Sequence, residues 1–172
     1  MIRSLAVFSF ALSSLFRLGS VSAQAPYVQL AQTHYIKVDA PFAQQLILAA
    51  KAAHPELKKI GLHAVPPGGT ESAIVANAIP GKIGKVSSPN DLTVVATGQP
   101  KVYPHPEEGG FFDLGLPLTD AQHRPIGMMV MEIPYKDAAT EQEALAKGLR
   151  IRDEIASRIT SKQALFQPAP QP

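Results

Sequence analysis

Two apolar runs, residues 111–118 and 126–133, stand only seven residues apart, and the link between them carries Thr119, Asp120 and Pro125 with no helical pattern. A link that short joins antiparallel neighbours, because a parallel pair needs a crossover of about a dozen residues or more. This hairpin constrains the chain more than any other feature. Residues 57–65, 72–79 and 101–105 read as further strands, for a predicted total of about five. Ile60, Leu62 and Ala64 alternate as in a half-buried strand. Pro104 and Pro106 confine the third of these strands to a sheet edge. Turns rich in glycine and proline separate the pieces, as at Pro66-Pro67-Gly68-Gly69.

Helical signals frame the strands. Asp39 is placed as an N-cap, Pro41 suits a first turn, and Phe42, Leu46, Ile47, Ala50 and Ala53 recur at helical spacing. His54-Pro55 stops that helix, since the residue before proline is pushed out of the helical region. Asn90 or Asp91 caps a short helix that ends at Gly98. Residues 137–159 form a final amphipathic helix with Leu145, Leu149, Ile151, Ile155 and Ile159 on its apolar side. The predicted class is α+β: one antiparallel sheet with helices packed on one face.

The beginning of the chain reads as a secretory signal peptide. Arg3 supplies the positive start, residues 5–16 the apolar core, and Val21-Ser22-Ala23 the small-x-small cleavage pattern. The twelve-residue core falls short of the roughly 20 residues that span a bilayer, and Arg17 closes it off. The domain plan is therefore signal peptide 1–23, extended lead-in 24–38, a single domain 39–162 and a disordered proline-rich tail 163–172. A periplasmic or secreted location follows as an expectation, with no membrane insertion once the signal is removed. Arg3 and Arg17 lie in that segment, and without them the basic residues equal the 14 acidic ones. That balance offers no electrostatic reason for a nucleic-acid partner. Zero cysteines exclude disulfides, thiolate metal sites and cysteine nucleophiles.

No motif commits the chain to catalysis. GxSxG, HExxH, GxxxxGK[ST] and GxGxxG are all missing. Five histidines are present, but no two share a helical or strand face by spacing; His63 and His105 are the pair that strands bring within reach. Ser72, Ser87 and Ser88 read as turn or cap residues. The loop 80–89 carries Lys82 and Lys85 and reads as a connection more readily than as an anion site. Asp113 stands out. Strand alternation sets it on one face with Phe111 and Gly115, opposite Phe112, Leu114 and Leu116. A carboxylate beside an aromatic ring and a glycine offers charge, cover and room for a small polar guest, and Tyr103, Asn77 and Tyr35 are companions by position.

The hairpin has a further association. Phe112-Asp113-Leu114-Gly115-Leu116-Pro117-Leu118-Thr119-Asp120, followed by Arg124-Pro125-Ile126-Gly127-Met128-Met129-Val130, resembles the closing hairpin of a Cache domain, an extracytoplasmic sensor domain related to the PAS fold. The Lys82-Ile83-Gly84-Lys85 loop is placed similarly, and the resemblance covers about residues 39–135. It implies a PAS-like sheet with a leading helix and a pocket over the Asp113 part of the sheet. The pocket would be lined by Asp113, Phe111, Tyr103 and Asn77. It also implies signal transduction by a free-standing version, without the usual membrane helices and output region, through a membrane receptor or a homodimer formed by the last helix. The expected function is a non-enzymatic, exported ligand-binding sensor of a small polar metabolite, with no cofactor. The alternative is an accessory envelope protein that docks on another protein and takes no small ligand.

Overall fold

The computed structural model describes residues 34–107 and 109–168. The signal peptide and most of the lead-in lie outside the described residues. Five strands form one antiparallel sheet: β1 (Lys59–Ala64), β2 (Ala73–Asn77), β3 (Lys101–His105), β4 (Phe111–Thr119) and β5 (Pro125–Pro134). Their spatial order is β2-β1-β5-β4-β3. With helices α1 (Pro41–Ala53), α2 (Pro89–Thr97) and α3 (Glu141–Ala156), this is an α+β, PAS-like architecture.

The β4–β5 hairpin forms as its spacing demands. Asp120 closes it by accepting hydrogen bonds from the Gln122 and Arg124 amides, and Arg124 Nε lies 2.7 Å from Asp120 Oδ2. Gly127 has no side chain because a Cβ there would collide with the carbonyl of His63 on β1. β1 is an interior strand, so it is buried on both faces rather than half-buried as its alternation predicts. β3 is an edge strand, where the missing N–H of Pro104 is tolerated.

The helices occupy both faces, which corrects the one-sided expectation. α1 and α3 cover one face, where Ile60, Leu62, Leu114, Leu116, Met129 and Met131 join a single core with Leu46, Ile47 and Ile151. α3 packs on its own sheet. Ile151 and Ile155 of the predicted stripe are buried, as is Ile159 just beyond the helix, whereas Leu145 and Leu149 are only partly buried and Ala144 and Gly148 take the buried positions of the first turns. On the opposite face α2 contributes Val94, which packs with Met128 and Val130. Gly115 permits that approach, since a Cβ there would sit 3.1 Å from Val94 Cγ2.

Several helix ends differ from expectation, each for a local reason. Ser88, not Asn90 or Asp91, caps α2: its side chain accepts from the Asp91 amide while Asp91 reaches back to the Ser88 N–H, a reciprocal capping box. Gly98 ends that helix in a left-handed conformation, as predicted. α3 starts later than residue 137 because Thr140 caps it by accepting from the Glu143 amide. At α1 the residue at the cap position is Ala40, and Asp39 makes no capping bond. One of the unpaired amides of the first turn is satisfied instead by a distant carbonyl, with Phe42 N donating to Gln167 O at 3.2 Å.

That bond belongs to a segment expected to be disordered. Gln163–Phe166 is a 3-10 turn, and Leu165 is fully buried in the main core. The tail 163–172 is thus ordered at least to residue 168, because Leu165 has an apolar seat against α1. Replacing Leu165 by Ala is expected to cost about 2–5 kcal/mol, as for other large-to-small core changes, measured by urea unfolding. A loss within about 0.5 kcal/mol, the size of a surface substitution, would contradict this packing.

Candidate functional site

Strand register builds the site. Lys59 on β1 pairs with Glu132 on β5, Glu132 with Asp113 on β4, and Asp113 with Tyr103 on β3. All four residues stand on one rung of the sheet, with Lys59, Glu132 and Asp113 on the face away from α1 and α3. The next rung holds Gly61, Val130 and Gly115, and the one after it His63 and Met128. β2 joins through a bulge between Leu62 and His63: Gly61 pairs with Asn77 and His63 with Ile74. The added residue in β2 lets Ile74 and Asn77, three positions apart, border the same hollow.

Above this floor lies a cavity of about 460 Å³. The connection from β2 to β3 walls it with Ile79, Lys82 and Lys85, and the start of α2 adds Ser88 and Asp91. It opens on the sheet face that α2 only partly covers.

The charges are unevenly matched. Lys59 Nζ lies 2.6 Å from Glu132 Oε1 but 3.7 Å from Asp113 Oδ2, beyond hydrogen-bond reach. Burial pushes the Asp113 carboxyl above the usual range; Lys59 opposes this and Glu132 reinforces it. Burial acts to lower the Lys59 pKa, but the Asp113 and Glu132 carboxylates outweigh it and hold the ammonium above its ordinary value. Asp91 is engaged elsewhere, since Oδ2 accepts from both the Ser88 amide and hydroxyl at 2.8 Å. Among the described residues, Asp113 accepts no hydrogen bond.

Asn77 is the second unmatched group. Its backbone is gripped by Gln44 of α1, whose Oε1 accepts from Asn77 N and whose Nε2 donates to Asn77 O, both at 3.0 Å. Its Oδ1 accepts from the Ile79 amide at 2.8 Å, which fixes the orientation of the side-chain amide. Nδ2 is then left buried with no partner among the described residues. Such a donor costs on the order of 1–3 kcal/mol unless something accepts from it.

His63 closes the far end. It is buried, with Nδ1 2.9 Å from Ser87 Oγ, and Ser87 Oγ is 2.9 Å from Ser72 Oγ. The Asp91 carboxylate is 4.0 Å from Nδ1, too far to bond. Burial lowers the His63 pKa to about 4, with Lys59 and Lys85 adding to the effect against the opposing Asp91. His63 and His105 do not meet, because β5 and β4 lie between their strands.

Of the residues singled out from the sequence, Asp113 and Asn77 border the cavity. Tyr103 pairs directly with Asp113 but flanks a separate recess of about 40 Å³ under α2. Phe111 shares the Asp113 face yet lies outside the cavity, stacked on His105 at 4.9 Å with Lys58 Nζ 4.0 Å above its ring. Tyr35 is exposed and bridges to Lys85. Lys59, Glu132 and the His63–Ser87–Ser72 series went unrecognised. Glu132 carried a signal, being a charge inside an otherwise apolar strand; Lys59 carried none.

No protein-family model matches the chain, and no curated protein sequence matches it. Among solved structures, it is similar to a double mutant of the PobR transcription factor inducer-binding domain from Acinetobacter, crystallised with 3-hydroxybenzoic acid. The likeness has 12% sequence identity and a TM-score of 0.44, and covers 69% of this chain and 95% of that one.

The neutral, buried His63 has a pH consequence. Its folded pKa of about 4 lies below the value near 6.5 of an unfolded histidine. Between those values the unfolded chain binds more protons, so this contribution is intact above about pH 6.5 and is lost as pH falls toward 4. Urea unfolding at several pH values is expected to show the advantage of the wild type over His63→Gln shrinking by about 2–3 kcal/mol between pH 7 and 4. A constant gap would mean that His63 is not held neutral by burial.

Proposed function

We propose that this chain is a sensory-type domain that binds a small polar metabolite in the cavity over β1, β5 and β4, without transforming it. The buried, unpartnered Asn77 Nδ2 carries the reading. A donor whose amide orientation is fixed and whose backbone is clamped is preorganised for an acceptor that a guest would bring. The Asp113 carboxylate, which accepts no hydrogen bond among the described residues, and the cavity volume of about 460 Å³ support it, since that space is in the range of small-molecule sites. Binding rather than turnover is favoured because Ser87, the hydroxyl paired with His63, does not line the cavity. The occupied form is read by a partner protein. The domain works outside the cytoplasm, delivered there by the segment 1–23.

The test is a thermal-shift screen with amines, carboxylates and amino acids. A guest at 100 times its Kd is expected to stabilise the folded domain by about 2.7 kcal/mol. Asp113→Asn, which keeps side-chain size, should weaken that effect while leaving the unliganded melting curve nearly unchanged; Asn77→Asp, which puts a carboxylate at a buried position, should weaken it and also lower the unliganded melting temperature. A complete screen with no shift, and with no change in the amide spectrum of the cavity residues, refutes the binding function. Export is checked separately: intact mass of the exported protein is expected to begin at Gln24, and retention of residues 1–23 would exclude a cleaved signal.

A further inference from the structure

The cavity is electrically polarised from one strand to the next. Lys59 is committed to Glu132 at 2.6 Å, and Asp91 to the cap of α2. What remains is one carboxylate, Asp113, on the β4 side, which accepts no hydrogen bond among the described residues and faces Lys59 only at 3.7 Å. On the β2 side remain two lysines, Lys82 and Lys85, which make no ion pair among the described residues, and the orphan amide of Asn77. The negative pole and the donor pole therefore face each other across the hollow.

Their separation follows from the sheet. Asn77 Nδ2 packs over Gly61 of β1, while Asp113 stands on β4 with β5 between. Two strand spacings and the offset of one rung along the strands set the poles about 12 Å apart. A hydrogen bond of about 2.8 Å at each end leaves roughly 6 Å between the guest's two charged groups. An α-amino acid, with one carbon between ammonium and carboxylate, is too short to reach both. Val130 on the floor and Ile79 on the wall are apolar, and the Lys59 and Glu132 that also border the path neutralise each other as a pair at 2.6 Å.

We infer that the cavity takes a zwitterion whose ammonium and carboxylate are separated by a short aliphatic chain, the ammonium on Asp113 and the carboxylate between Asn77 Nδ2 and Lys85. This rests on the ligand-binding reading above and narrows it to one chemical class. Burial raises the Asp113 pKa further than Lys59 lowers it, and a guest ammonium at the carboxyl would offset that burial.

Calorimetric titration of the folded domain with glycine, β-alanine, γ-aminobutyrate and δ-aminovalerate, with butylamine and butyrate as single-charge controls, decides the matter. γ-Aminobutyrate or δ-aminovalerate is expected to bind at least tenfold more tightly than glycine and than either control. Asp113→Asn should remove about tenfold of that affinity while sparing butyrate, and Asn77→Asp should do the same while sparing butylamine. Equal affinity for glycine, or for a control of one charge, overturns the inference. If none of the six binds but another compound from the thermal-shift screen does, and Asn77→Asp abolishes it, the cavity is a ligand site and the separated-charge reading is wrong. If nothing binds at all, both readings fail.

Discussion

The pairing of β1 against β5 is the constraint on which the site rests. The two strands are about seventy residues apart in the chain, yet Lys59 lies directly opposite Glu132 and His63 opposite Met128. Side chains alternate between faces with a period of two, so a slip of one residue would bury Lys59 in the main core and turn Ile60 and Leu62 outward. The apolar demand of the α1–α3 layer therefore sets the register. The polar rung on the other face is its by-product. A single choice made by the core determines which charges can meet.

That rung is economical in an unusual way: one ammonium stands beside two carboxylates and satisfies only one at close range. Partly buried charges without close partners are unfavourable, and evenly matched sheets do not retain them for stability. Here the imbalance is local. Glu132 is paired and Asp91 is absorbed by helix capping, so the residual charge falls on a group that borders open space. The residues of the main core on the other face are aliphatic, aromatic or methionine.

Local patterns made most of the fold legible. The hairpin came from two apolar runs and a seven-residue link, the edge position of β3 from Pro104, and the end of α2 from Gly98. Patterns that depend on a distant partner were not legible. Asp39 is a sound N-cap by type, yet α1 uses Gln167, a residue no local rule connects to it. Leu165 lies in a polar, proline-flanked stretch that resembles a loose end until its seat against α1 is known. The site divides the same way. Asp113 was recoverable from alternation within its strand. Phe111 obeyed that alternation but was drawn into a stack with His105, so sharing a face did not mean sharing a cavity. Lys59 became meaningful only through non-local pairing. The helices on both faces were missed because the Val94 contact depends on Gly115, a glycine that reads as room for a guest as readily as room for a helix.

The irregularity in β2 reaches further than its size suggests. Because one extra residue stands between Ile74 and Asn77, both border the hollow while Val75 and Ala76 belong to the main core. Loss of a single residue there would restore strict two-fold alternation and rotate a different side chain into the wall, with the aliphatic layer behind it almost undisturbed. Among chains of this architecture, a one-residue length change in that short strand is thus a route to new ligand preference that leaves foldability intact.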